Sequence, residues 1–285
     1  YPASRSWARM EKVVIVVEVL RPSLPSFASL VPSRVFVSKK VPLVGSKVER
    51  AIVDGLQFIS EGADFVDIGG ESTRPGSRAV SEEEELRRVL PVVEGLARRG
   101  ALISIDTRRA SVARACLDAG ARIVNDVSAL RDDPEMMPLI AERRVPVVLM
   151  HRRGRPETGY AGPAYRDVVE DVRQFLIERS QECELAGIAR QDIAIDPGIG
   201  FGKLPEEDLA LIADTGRLAA AGHPVLIGAS RKSFIGKLIG VKDARQRVPA
   251  SIWLAVEAAR RGAAILRVHD VAATCQALAI SAAMR

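Results

Sequence analysis

Eight short apolar runs, separated by stretches with helical periodicity, restrict what this chain can fold into more than any other feature. They lie at residues 13–20, 63–68, 102–106, 122–127, 146–150, 192–196, 224–228 and 264–268, each bounded by turn residues or charge. Four end on a polar side chain: Asp106 in LISID, Asn125 in RIVND, Asp196 in IAID and Lys232 after VLIGASR. Between the runs, SEEEELRRVLPVVEGLARRG opens on a cap-like Ser81 with acids in its first turn, and RDVVEDVRQFLIERSQECELAG spaces its apolar residues at i, i+3 and i+4 before Gly187. DVAATCQALAISAAM supplies a last helix. Strands alternating with helices in this way predict a single-domain α/β (β/α)8 TIM barrel, a fold of about 250 residues. A doubly wound open sheet is the alternative, because strand count does not show closure. In either fold the polar strand ends converge on one face, where ligands bind.

Composition excludes several classes. With 47% hydrophobic and 27% charged residues the chain can bury a large core, and no apolar stretch reaches the roughly 18 residues of a membrane span. A formal charge of +5 and a pI near 9.3 admit nucleic acid, but the cations are dispersed and aromatics make up only 4%, so base stacking is not expected. A small anionic substrate accounts for the bias instead. Cys116, Cys183 and Cys275 lie far apart without metal or redox spacing, as expected of reduced thiols in a cytoplasmic protein. His151, His223 and His269 form no ligand motif, and no G-x-S-x-G elbow supports acyl chemistry.

The strand ends carry two kinds of chemistry. DIGGESTRPGS (67–77) removes side chains at Gly69 and Gly70 and offers Ser72, Thr73 and Arg74 to an anion before the turn at Pro75 and Gly76; an ordinary strand-to-helix loop is the plain alternative. In ILRVHD (265–270) alternation places Arg267 and His269 on one side, a pairing suited to phosphate late in a barrel. GASRKSF (228–234) adds Ser230, Lys232 and Ser233. The acids and the amide suit a flat nitrogen heterocycle: a carboxylate accepts two bonds from a guanidine-like edge, and an Asn both donates and accepts. Asp196 is the foremost candidate, and its loop DPGIGFGK (196–203) carries Phe201, able to cover a ring or simply to fill the core. Helix capping is the alternative role for Asp106 and Asp196.

In order and spacing, DIGGESTRPGS, SIDTRRASVARACLDAGARIVNDVSA, PVVLMHRRGRPET, IDPGIGFGK, PVLIGASRKSFIG and RVHDV resemble the motifs of the dihydropteroate synthase family, over about residues 50 to 285. The resemblance implies a (β/α)8 barrel, usually a homodimer, that joins p-aminobenzoate to 6-hydroxymethyl-7,8-dihydropterin diphosphate and releases diphosphate with Mg2+. It implies pterin binding by Asp106, Asn125, Asp196 and Lys232. It also implies a diphosphate and p-aminobenzoate side formed by Thr73, Arg74, Pro75, Phe201, Ser233, Arg267 and His269. Lys232, Arg267 and His269 are the residues expected to act in catalysis, with no protein ligand to the metal identified.

The resemblance fails at the start. The family's first loop has the form N-V-T-P-D-S-F-S-D-G-G; here residues 20–33 read LRPSLPSFASLVPS. With Phe27 aligned, Arg21, Pro25 and Ser29 replace its Asn and two Asp residues. No acid occurs between Glu18 and Glu49, and the first of 22 glycines is Gly45. The expected organisation is therefore a divergent N-terminal region, 1–45, holding the first strand within 13–20 and an altered loop, followed by the rest of the barrel, 46–285. A pterin-binding paralogue with impaired or no synthase activity, or a methyltetrahydrofolate-handling pterin-binding barrel, are the alternatives to an active synthase.

Overall fold

The computed structural model describes residues 6–7, 12–14, 34–40, 46–73, 77, 79–155 and 164–284. Ten strands and ten helices appear in them. The first strands are β1 (Ser6–Trp7), β2 (Lys12–Val14) and β3 (Arg34–Lys40), the last followed by α1 (Ser46–Ser60). Strand–helix pairs then repeat: β4 (Phe65–Gly69) with α2 (Glu82–Ala97), β5 (Ile103–Asp106) with α3 (Ala110–Asp118), β6 (Ile123–Asp126) with α4 (Met136–Arg143), and β7 (Val147–Met150) with α5 (Val168–Leu185). β8 (Ile193–Asp196) precedes α6 (Pro205–Ala213) and α7 (Thr215–Ala219), β9 (Leu226–Ile227) precedes α8 (Ser233–Ile239) and α9 (Val248–Arg260), and β10 (Ile265–Val268) precedes α10 (Val271–Ala283).

β3 to β8 pair in parallel, each with the next, and a single bridge from Ile195 to Val225 carries the ring on to β9. β9 pairs with β10, and β10 pairs in parallel with β3, Leu266 opposite Val35. Eight parallel strands thus close on themselves, and the open sheet is set aside. Val66 faces outward, close to α1 and α2: a Cβ at Gly55 of α1 would stand 3.1 Å from Leu96 of α2 and 3.6 Å from Val66. Buried Ile, Val and Leu from strands and helices form one continuous core around the ring.

The expected first strand moves. Residues 34–40 take the first position in the ring, and of the 13–20 run only the short strand Lys12–Val14 is described, antiparallel to β3. Hydrophobicity favoured VVIVVEVL, but a strand that feeds α1 must lie near it. Strand-to-helix connections in such units run to about 2–6 residues, and β3 ends six positions before Ser46 whereas the 13–20 run ends far upstream. The altered loop at 20–33, with Arg21, Pro25, Phe27 and Ser29, lies outside the described residues, as do Arg74 and Pro75.

The helices start where the sequence signals them. Ser81 Oγ accepts the Glu84 N–H at 3.2 Å ahead of four acids in the first turn of α2. The Asp167 carboxylate accepts from Val169 and Glu170 N–H at the start of α5, and Gly187 follows its end with φ 95°.

Candidate active site at the C-terminal ends of the strands

In parallel strands, paired residues point to the same side. The register that sets Gly69 opposite Asp106 and Asp106 opposite Asn125 therefore turns these three inward together, with Asp67 one step below Gly69. Gly69 makes room for this arrangement, because a Cβ there would stand 3.2 Å from that of Asp106. Asn125 and Asp67 are fully buried, and Asn125 Nδ2 donates to Asp67 Oδ2 at 3.1 Å. Asn125 Oδ1 is buried without a hydrogen-bond partner, which costs about 1–3 kcal/mol until a donor arrives.

Across the ring, Arg267 of β10 meets two acids. Its Nη2 donates to Asp196 Oδ2 at 3.2 Å, and Nη1 lies 3.7 Å from Asp67 Oδ2. The glycine at 228 admits this side chain, since a Cβ there would come within 3.1 Å of Arg267 Nε. The other oxygen of Asp196 accepts the Gly198 N–H at 2.7 Å. Capping explains neither strand-end acid. The N-caps of α3 and α6 are Arg109 and Leu204, and Asp133 from the β6–α4 loop accepts the Ala110 N–H at 2.7 Å.

Above these residues, Thr73, Asp106, Val127, Phe201, Gly228, Ser230, Lys232 and Arg267 line a cavity of about 20 Å3. Lys232 narrows it: Nζ donates to the Ile199 carbonyl and sits 4.4 Å from the centre of the Phe201 ring. Phe201 packs on Val127 and Met150 and is 8% exposed, so it is at once core filler and cavity wall. His269 is tied to β9's loop by its N–H to Ser230 Oγ at 2.9 Å and by Nδ1 to the same oxygen at 2.8 Å. Arg231, at φ 56°, forks onto the carboxylate of Asp270 and turns the backbone so that Lys232 faces the cavity.

The ring thus brings together Asp106, Asn125, Asp196, Lys232, Arg267, Thr73, Phe201 and, through Ser230, His269. Ser233 is exposed at the first turn of α8 and does not line the cavity. Three participants carried weaker signals. Asp67 showed only as an acid inside the apolar run FVDIG; Lys203 and His151, which hold the loop bearing Phe201, showed only as the ends of IDPGIGFGK and VVLMH. Among the described residues no group of three His, Cys, Asp or Glu is placed to hold a metal ion. Asp196 and Asp67 share the Arg267 charge.

The chain matches the pterin binding enzyme family over residues 38–269. It is 47% identical over 236 residues to the dihydropteroate synthase of Mycobacterium leprae, covering 81% of this chain and 83% of that one. A structure of Xanthomonas albilineans dihydropteroate synthase with 4-aminobenzoic acid superposes with a TM-score of 0.80 at 48% identity, over 85% of this chain and 86% of the other. The Xanthomonas albilineans enzyme in complex with 7,8-dihydropteroate gives 0.78 at 43% identity, over 86% and 90%. This chain belongs to the dihydropteroate synthase family of pterin-binding enzymes.

Proposed function

We propose that the protein is a dihydropteroate synthase, a transferase of folate biosynthesis that condenses p-aminobenzoate with 6-hydroxymethyl-7,8-dihydropterin diphosphate to give 7,8-dihydropteroate and diphosphate. The observation that carries this reading is the buried polar set beside the cavity. Asn125 keeps a carbonyl in want of a donor, and Asp196 accepts a single guanidinium N–H from Arg267, the kind of donor that a pterin's amino-pyrimidinone edge would present to it. Asp106 and Lys232 complete the pterin pocket, and Phe201 covers it.

Binding then frees a cation. The heterocycle displaces Arg267 from Asp196, and Arg267 joins His269 and Thr73 on the diphosphate side, with Arg74 and Pro75 expected there too. As the carbon–oxygen bond to diphosphate breaks, negative charge grows where these donors stand, and positive charge on the methylene carbon spreads into the pterin ring. The aniline nitrogen of p-aminobenzoate forms the new carbon–nitrogen bond and releases its proton. Mg2+ is proposed as a companion of the diphosphate oxygens, not as a resident of a protein cage.

A homodimer is proposed as well. The groove between α9 and α10 has a volume of about 680 Å3 and exposes Trp253, Ile280 and Met284, a surface suited to a second copy. Among the described residues no helix is long and apolar enough to cross a membrane, and three free thiols support a cytoplasmic setting.

The test is dihydropteroate formation from the two substrates with and without a chelator, beside calorimetric binding of the pterin alone. Turnover supports the synthase. Pterin binding without turnover would instead favour a binding paralogue, and no pterin binding would overturn the reading.

A further inference from the structure

The loop between β8 and α6 brings Phe201 and the Ile199 carbonyl to the cavity through backbone with little shape of its own. Gly198, Gly200 and Gly202 hold φ at 69°, 78° and 79°, a region that glycine enters and leaves easily. Two charged side chains fix it from outside. Lys203 folds back so that Nζ donates to Gly198 O at 2.9 Å, Phe201 O at 3.4 Å and His151 Nδ1 at 3.1 Å. Buried Asp208 of α6 accepts the Gly200 N–H at 2.6 Å. His151 is held well below its usual pKa by burial and then by Lys203, so its ring is neutral and Nδ1 offers a lone pair. Three acceptors therefore converge on an ammonium with three N–H groups.

We propose that Lys203 is a positioning residue for the pterin: it fixes the 197–203 loop and through it sets Phe201 and, by way of the Ile199 carbonyl, Lys232 against the bound heterocycle. The proposal rests on the pterin-binding reading above. Lys203 does not line the cavity, so it acts only through the loop.

A structural brace alone would not predict the pH response. Burial lowers Lys203 from 10.5 to about 8, against the opposing carboxylates of Asp208, Asp196 and Glu207 and with help from Arg153. Burial raises Asp208 from 3.8 to about 6, against the Gly200 N–H, Lys232 and Lys203, with Glu207 also raising it. Between those values Lys203 is an ammonium and Asp208 a carboxylate, and every loop contact is made. Above about 8 the amine keeps two N–H groups for three acceptors, so pterin affinity falls. Stability moves the other way. The folded pKa lies below the unfolded one, so the unfolded chain binds the proton better between about 8 and 10.5, and this group's contribution to stability rises through that window.

The experiment compares the full-length protein with Lys203→Met and Lys203→Arg, measuring binding of 6-hydroxymethyl-7,8-dihydropterin and both KM values from about pH 6.5 to about pH 9.5. Lys203→Met is expected to weaken pterin binding about tenfold while the p-aminobenzoate KM stays within about twofold. Lys203→Arg keeps its charge and is expected to restore most of the affinity and to abolish the alkaline decline seen in the wild type. Unchanged pterin binding in Lys203→Met, equal rises in both KM values, or an alkaline decline that persists in Lys203→Arg would each overturn the proposal. Should Lys203→Met not fold, Asp208→Asn loosens the same loop through Gly200 and is expected to raise the pterin KM selectively; an unaltered pterin KM would overturn it. Failure of the wild type to bind pterin would sink the functional reading instead, a separable result.

Discussion

Burying a guanidinium is costly unless carboxylates meet it, and Arg267, 6% exposed, meets Asp196 at 3.2 Å and Asp67 at 3.7 Å. A pterin edge on Asp196 takes over one of those contacts, so Arg267 is expected to serve the diphosphate at no loss to Asp196. Arg267→Ala should then weaken binding of the pterin diphosphate by about 2–3 kcal/mol, the worth of charge-assisted bonds, while affinity for the pterin alcohol changes by no more than about threefold. Calorimetry with both ligands decides it, and equal losses would detach Arg267 from the diphosphate. The strand-end residues Asp106, Asn125, Asp196 and Lys232 were legible because each broke an apolar run. The partnership of Arg267 with Asp67 was not, because the two lie far apart in the sequence and only ring closure brings them together.

At the scale of elements, the loop of 197–203 tolerates little change. Gly198 has φ 69°, and a Cβ there would stand 1.8 Å from the His151 carbonyl oxygen, a backbone atom that cannot step aside. Gly198→Ala is expected to cost more than about 2 kcal/mol of stability, read from denaturant midpoints, and to abolish pterin binding where the protein still folds. A variant of wild-type stability and affinity would show that the loop relaxes. Seven of the eight strands were legible within a few residues, since their apolar runs are bounded by charge or turn residues. The first was not: RVFVSKK is less apolar than VVIVVEVL, and its claim to the ring comes from its short connection to α1 and its pairing with both β10 and β4. Helix capping by Asp106 and Asp196 was open in the sequence because a strand-end acid reads alike in either role; it closed once α3 and α6 were seen to start beyond them.

At the scale of the molecule, closure of the ring and the apolar face of α9 and α10 are what the chain presents to its surroundings. Trp253 is 63% exposed, Ile280 66% and Met284 79%, more apolar surface than an isolated barrel needs to leave in water. Trp253→Glu is expected to shift the sedimentation of the protein from dimer to monomer without lowering its pterin affinity. A wild type that sediments as a monomer would overturn the dimer. The ring itself is uneven. β5, β6 and β7 are laced to their neighbours by several paired residues, whereas β8 reaches the two-residue β9 through the one bridge from Ile195 to Val225. That junction is the thinnest point of the ring: one bridge joins β8 to β9, while the opposite wall is paired residue by residue. Amide hydrogens at 225–227 should exchange with solvent sooner than those of β6, and a ligand that stitches Asp196 to Asn125 should slow them most.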